Sequence, residues 1–121
     1  MADPKRVLIV EDEKPLAHAL ELKLGREGFA VTVRSNGQEA LDAIKNEDFD
    51  VMLLDLMMPT IDGFQVLEQM KHSGRKQPVV IVISNLSQHE DEERVMALGV
   101  KKYFVKSDTP LSVIVDEVKN A

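Results

Sequence analysis

The chain has 121 residues, with 15 basic and 21 acidic side chains and a formal net charge of −6. This length predicts a single domain, and the excess of acids argues against a direct nucleic-acid partner because phosphate binding needs a basic face. The absence of cysteine excludes disulfides, thiolate nucleophiles and cysteine-ligated zinc. No apolar run approaches the roughly 20 residues that span a bilayer, and three acids directly follow the run at residues 7–10, unlike a signal peptide. We therefore expect a cytoplasmic protein with no membrane partner.

Five short apolar runs are the predicted strands. Most are apolar throughout, which is typical of strands that are covered on both faces. In chain order they are residues 7–10, 30–33, 51–54, 79–83 and 103–105.

Helix-start signals lie between these runs. The first helix is predicted to begin near Lys14 and to end at Gly25 or Gly28. The last is predicted to have Pro110 at its first helical position, directly after Thr109. The other three combine an N-cap residue with a capping partner three positions on: Asn36 with Glu39, Asp62 with Gln65, and Ser87 with Glu90.

The alternation of five strands with five helices predicts parallel strand pairing through right-handed crossovers. The expected fold is therefore α/β, with a doubly wound, five-stranded parallel sheet between two helix layers. Such folds bind ligands at the carboxyl ends of the strands, so functional residues are expected directly after each strand.

Polar side chains follow four of the five predicted strands. In chain order they are Glu11, Asp12 and Glu13 after the first strand, Asp55 after the third, Ser84 after the fourth and Lys106 at the fifth. If the first and third strands are neighbours, Asp12 and Asp55 lie close together, and two such charges about 5 Å apart repel by about 3 kcal/mol at an effective dielectric constant near 20. A site with oxygen ligands and no clustered histidine favours Mg²⁺.

A phosphoryl group would suit the side chains that face this cation site. Lys106 offers a positive charge and Ser84 a hydroxyl donor. Asp55 is nearest the centre and could act as a nucleophile that becomes an aspartyl phosphate. Taken singly, each of these residue types is more often a turn, cap or solvated residue. Their joint occurrence at one sheet edge favours a site.

These residues, in this order, resemble the receiver domain of bacterial two-component response regulators. The matching segments are Val-Leu-Ile-Val-Glu11-Asp12-Glu13, Leu-Leu-Asp55-Leu-Met-Met-Pro59-Thr-Ile-Asp62-Gly63, Ile83-Ser84, Gly99 and Tyr103-Phe-Val-Lys106. The resemblance covers essentially the whole chain from Lys5, and its most specific part is the segment 55–63. It implies a flavodoxin-like sheet with strand order 2-1-3-4-5. It also implies a phosphorylation-dependent signalling switch, which is not an enzyme beyond its own phosphorylation and dephosphorylation.

The resemblance implies that Asp55 is the phosphoacceptor. Glu11, Asp12, Asp55 and the backbone carbonyl of Met57 resemble the ligands of a required Mg²⁺. The phosphodonor would be a sensor histidine kinase or a phosphotransfer protein, and the downstream partner a protein target or an output domain. We expect residues 1–121 to be a single receiver domain with no output domain.

Ser84 and Lys106 resemble the family's phosphoryl-sensing pair, and Tyr103 its aromatic switch on the surface formed by helix 4, strand 5 and helix 5. The family positions that influence phosphoryl lifetime hold Met57 and Leu86 here. Both are apolar and unable to orient an attacking water, which predicts slow self-dephosphorylation.

The chain departs from the family pattern at three positions. Ser107 stands where proline usually follows the lysine, so the last loop is expected to be arranged differently. Ser84 stands where threonine is commoner, which should preserve the hydrogen bond. Asn85 stands where alanine or glycine is usual, which should narrow access to the phosphoryl group.

Three other functions compete with that of a working receiver. Haloacid-dehalogenase enzymes also use an aspartate nucleophile with Mg²⁺, but they need a second aspartate where this chain has Met57. A nucleotide-binding module would need a glycine-rich loop after a strand, and the chain has none. A degenerate receiver that acts as a phosphorylation-independent docking module stays open as the alternative.

Overall fold

The computed structural model describes residues 3–86 and 89–121. Within these residues, five strands and five α-helices alternate along the chain. They are β1 (Arg6–Val10), α1 (Lys14–Arg26), β2 (Ala30–Arg34), α2 (Gly37–Asn46), β3 (Val51–Leu54), α3 (Gly63–Lys71), β4 (Val79–Ser84), α4 (His89–Ala97), β5 (Lys102–Val105), a 3-10 turn (Lys106–Asp108) and α5 (Leu111–Lys119). Among these described residues, no helix has the length and apolar character needed to cross a bilayer.

The strands form one parallel sheet in the order β2-β1-β3-β4-β5, which confirms the predicted fold. All of them except β3 extend one residue beyond the predicted apolar run, because backbone pairing does not require an apolar side chain. The added residues are Arg6, Arg34, Ser84 and Lys102. Ser84 is therefore the last residue of β4 and not the first residue after it.

The two faces of the sheet carry separate apolar layers. Leu8 and Val10 of β1 pack with α2, α3 and α4, whereas Val7 and Ile9 pack with α1 and α5. All four side chains are fully buried. Side chains alternate between the faces of a strand, so a strand covered on both faces must be apolar throughout. The predicted two-sided cover is confirmed.

Two of the predicted helix starts have the expected side-chain caps. The Asn36 side chain accepts a hydrogen bond from the Glu39 N–H at 2.9 Å. Asp62 and Gln65 form a reciprocal capping box, with both hydrogen bonds at 2.9 Å. The third predicted cap residue, Ser87, lies outside the described residues.

The prediction for the last helix is wrong by one residue. Pro110 is the N-cap of α5, with an extended backbone at φ −62° and ψ 149°, and the helix begins at Leu111. The Pro110 carbonyl accepts hydrogen bonds from the N–H groups of Val113 and Ile114. Thr109 does not cap the helix, because its hydroxyl donates back to the Val105 carbonyl at 2.8 Å.

Candidate functional site

Three carboxylates meet at the carboxyl ends of β1 and β3. Val10 and Leu54 are paired in the sheet, so the residues that follow them, Glu11 and Asp55, are neighbours. One oxygen each of Glu11, Asp12 and Asp55 lies within 4.8 Å of the others. Glu11 is 1% exposed and Asp55 2%, whereas Asp12 is exposed to solvent. The sheet therefore brings together the three acids that the sequence predicts.

Backbone N–H groups orient the two buried carboxylates. The Glu13 N–H donates to Glu11 Oε2, and the Met57 N–H donates to Asp55 Oδ1, both at 3.0 Å. Each bond uses one oxygen of its carboxylate and leaves the other facing the site. The Met57 backbone N–H thus lies at the cluster, although the residue as a whole is 54% exposed.

Lys106 inserts its ammonium group among these acids. Its Nζ lies 2.7 Å from Glu11 Oε1, 2.7 Å from Glu13 Oε2 and 3.3 Å from Asp55 Oδ2. The Lys106 side chain is only 10% exposed. It reaches the site because it directly follows Val105, which pairs with Ser84 in the sheet.

Burial sets the protonation of the cluster. It raises the pKa of Glu11 to about 7, although the close Lys106 ammonium group and the hydrogen bond from the Glu13 N–H oppose the change. Burial also raises the pKa of Asp55, against the Met57 N–H and the Lys106 charge. Burial alone would lower the pKa of Lys106, but contacts with Glu11, Glu13 and Asp55 raise it above its ordinary value. The single positive charge of Lys106 does not neutralise all three of these carboxylates when they are ionised.

The donor set of this cluster fits a hard divalent cation. All the side-chain ligands on offer are carboxylate oxygens, which Mg²⁺ prefers. Glu11 Oε1 is buried and has no hydrogen-bond partner of good geometry among the described residues, despite the close Lys106 charge. The exposed position of Asp12 leaves one side open to the water ligands that Mg²⁺ retains. The cluster can therefore hold a metal ion.

The loop after β3 requires glycine at position 63, because its backbone lies close to that of Asp55 and Leu56. A Cβ at Gly63 would lie 2.6 Å from the Asp55 carbonyl oxygen and 2.7 Å from the Leu56 Cα. The Gly63 N–H also donates to the Leu56 carbonyl at 3.0 Å. Earlier in the loop, Thr60 follows Pro59 with a left-handed φ of 69°. These contacts tie the start of α3 to the backbone of Asp55.

Ser84 and Tyr103 are both hydrogen-bonded to the backbone of Leu86. Ser84 is fully buried, and its Oγ accepts a hydrogen bond from the Leu86 N–H at 3.1 Å. The Tyr103 hydroxyl donates to the Leu86 carbonyl at 2.5 Å. The half-buried Tyr103 ring packs against the apolar layer on the α2–α4 side. Burial raises the pKa of Tyr103, which stays a neutral donor at pH 7.

Two features of the site are not predicted from the sequence. Glu13 is one of the acids after the first strand but has no role in the sequence-based interpretation, yet its side chain contacts Lys106 as closely as Glu11 does. Its place directly after two candidate ligands is the available signal. The 3-10 turn at Lys106–Asp108 is also not predicted.

Comparison with known proteins identifies the family of this chain. The family model described as the response regulator receiver domain matches residues 7–117. The cell cycle response regulator CtrA of Brucella ovis is 37% identical over 101 residues, which are 84% of this chain and 43% of that protein. The uncharacterized transcriptional regulatory protein YkoG of Bacillus subtilis is 35% identical over 100 residues, 83% of this chain and 43% of that protein. The chain therefore spans less than half the length of these relatives.

Solved structures show the same fold. The receiver domain of the Francisella response regulator 1452 has a TM-score of 0.88 and 28% identity, with 96% of this chain and 94% of that chain covered. The response regulator TrrA of Thermotoga maritima, solved in complex with Mg²⁺ and beryllium fluoride, has a TM-score of 0.82 and 28% identity, with 96% and 97% covered. The resemblance that the sequence motifs indicated is confirmed, and this chain belongs to the response regulator receiver domain family.

Proposed function

We propose that this chain is a phosphorylation-dependent switch in which Asp55 accepts a phosphoryl group from a phosphohistidine of a sensor histidine kinase or phosphotransfer protein. In that transfer, a P–N bond of the donor breaks and a P–O bond to an Asp55 carboxylate oxygen forms. The observation that carries the proposal is the position of buried Asp55, with its Oδ2 atom 3.3 Å from Lys106 Nζ, inside a cluster of oxygen ligands. A nucleophile, a cation and a metal-ligand set are what phosphoryl transfer to a carboxylate requires.

We assign Mg²⁺ binding to Glu11, Asp12, Asp55 and the backbone carbonyl of Met57. The three side chains are supported by the closeness of their oxygens. Met57 is supported by its N–H bond to Asp55, which keeps its backbone at the cluster. Bound Mg²⁺ would supply neutralisation of the charge on the phosphoryl oxygens. The Mg²⁺ and beryllium fluoride bound to TrrA support this assignment by family likeness.

Ser84 and Lys106 would bind the phosphoryl group once it is attached. Phosphorylation gives Asp55 more charge and more acceptor oxygens. Lys106 is already at the carboxylate, and the Ser84 hydroxyl, whose oxygen accepts from the Leu86 N–H, can also donate a hydrogen bond. Each charge-assisted hydrogen bond is worth about 1.5–3 kcal/mol. Two such hydrogen bonds together approach the free energy of about 5.5 kcal/mol that moves a two-state equilibrium from 1:99 to 99:1.

Tyr103 would couple the binding of the phosphoryl group to the surface formed by α4, β5 and α5. Movement of Ser84 toward the phosphoryl group would pull on the Leu86 N–H, and the Leu86 carbonyl holds the Tyr103 hydroxyl. The Tyr103 ring would then turn further inward. The altered surface would bind a downstream protein target or an output domain.

The test is the intact mass of the chain after incubation with a small-molecule phosphodonor, with and without Mg²⁺. We expect a Mg²⁺-dependent gain of one phosphoryl group, mapped to Asp55 by peptide analysis and absent from Asp55→Ala. Absence of the adduct, with Mg²⁺ binding and an intact fold verified, would overturn the proposal in favour of the phosphorylation-independent docking module. Asn85 and Ser107 would then be the first residues to exchange.

A further inference from the structure

The ammonium group of Lys106 is shared among three carboxylates. It has three N–H donors, and Glu11, Glu13 and Asp55 are the three acids around it. The contacts with Glu11 and Glu13 are 2.7 Å long, whereas that with Asp55 is 3.3 Å. Lys106 therefore lies closest to the two acids that are not the proposed phosphoacceptor.

Glu13 differs from the other two acids in its surroundings. Its side chain is 53% exposed, whereas those of Glu11 and Asp55 are buried. Glu13 is also the N-cap residue of α1, yet in the described part of the chain its side chain makes no capping hydrogen bond to that helix. It extends instead to Lys106 Nζ. The backbone N–H of Glu13 independently holds Glu11 Oε2, so the side chain is not needed for that contact.

We propose that Glu13 is a positioning residue that holds Lys106 back from Asp55 in the unphosphorylated chain and thereby restrains phosphorylation. The inference rests on the proposed function of Asp55 and adds a regulator to that site. A phosphoryl group on Asp55 draws the Lys106 ammonium group toward Asp55, against the closer contact with Glu13. Because Glu13 is half exposed, its ion pair belongs to the class worth at most a few-fold in equilibrium. Its loss should make phosphorylation about two- to five-fold faster, because Lys106 no longer has to leave this ion pair to reach the phosphoryl group.

The experiment compares Glu13→Gln with Glu39→Gln in the full chain. Glu39 is an exposed acid that lines the same surface cleft as Glu11 but contacts Ser35 and not Lys106. The two variants remove the same charge near the site, so their difference isolates the contact with Lys106. Glu13→Asp is the second variant, because it keeps the charge but withdraws the carboxylate by one methylene. Far-UV circular dichroism verifies that each variant folds.

Two readouts are taken. The first is the rate of phosphoryl gain from acetyl phosphate with saturating Mg²⁺, followed by intact mass. The second is the hydrogen-exchange rate of the Lys106 ammonium protons, measured by ¹⁵N NMR without phosphodonor. A purely structural role of Glu13 would not alter ammonium exchange at Lys106. Saturating Mg²⁺ removes any difference in metal affinity among the variants.

We expect Glu13→Gln and Glu13→Asp to accept phosphate about two- to five-fold faster than Glu39→Gln, and their Lys106 ammonium protons to exchange faster. Equal rates for Glu13→Gln and Glu39→Gln would show a charge effect alone and overturn the restraint, while the function of Asp55 would stand. If the unaltered chain takes up no phosphate, the proposed function fails and the restraint on phosphorylation fails with it. The exchange measurement then decides separately whether Glu13 holds Lys106.

Discussion

Substitution of Glu11 by glutamine should stabilise the chain at pH 8 and leave its stability nearly unchanged at pH 4. Glu11 is 1% exposed and lies beside Asp55, so its ionised form is unfavourable in the folded state. A pKa that rises from 4.5 to about 7 on folding corresponds to about 3 kcal/mol in favour of the protonated form. The glutamine side chain of the variant would be neutral at every pH, so that difference appears as a gain in stability where Glu11 is charged.

The direction of this pH dependence follows from the number of protons that the folded and unfolded chains bind. Between the unfolded pKa of 4.5 and the folded pKa of about 7, the folded chain binds more protons than the unfolded chain. The contribution of Glu11 to stability is therefore complete below the lower value and is lost as the pH rises through the upper one. The value of about 3 kcal/mol already includes the attraction of Lys106, which lowers the pKa of Glu11. It is a ceiling, because the glutamine amide of the variant must also be buried. Lys106 keeps its contacts with Glu13 and Asp55.

The assay is urea unfolding followed by far-UV circular dichroism at pH 4 and pH 8, in low salt with a chelator. We expect a gain of about 2–3 kcal/mol for Glu11→Gln at pH 8 and less than about 1 at pH 4. Glu39→Gln is the control, since an exposed acid should change stability by less than about 0.5 kcal/mol at either pH. Added Mg²⁺ should reduce the difference in unfolding free energy between Glu11→Gln and the unaltered chain, because it binds and stabilises the unaltered chain. A gain that is the same at both pH values, or a loss at pH 8, would refute the reasoning.

Three further outcomes can be measured. Gly63→Ala should lower the free energy of unfolding by about 2–3 kcal/mol in the same urea assay and should slow phosphorylation. The added Cβ would lie 2.6 Å from the Asp55 carbonyl oxygen. Unaltered stability would contradict that close approach. Tyr103→Phe should lose about 1 kcal/mol in thermal unfolding, since it leaves the Leu86 carbonyl without its donor, and a neutral effect would count against that bond. The phosphorylated chain should hydrolyse slowly, because Met57 and Leu86 cannot orient water; loss of the phosphoryl mass within seconds would disprove this.

Local patterns were enough to predict most of the fold. Apolar runs located every strand to within one residue, because strands covered on both faces exclude polar side chains except at their ends. The Asn36 and Asp62 caps were predictable because each bonds only three residues along the chain. Parallel pairing then places all the strand ends at one edge, which is why Glu11 and Asp55 could be expected to meet.

Local patterns in the chain thus specify the order of the elements, the fold class and the residues that lie at one sheet edge. Tertiary structure alone decided how those residues contact one another. Glu13 and Lys106 are 93 positions apart, and no short-range pattern indicates that their side chains would pair. The raised pKa of Glu11 likewise depends on burial that helices and loops distant in sequence create. Local hydrogen bonds and side-chain periodicity act over a few residues, whereas burial and charge pairing depend on where distant segments pack.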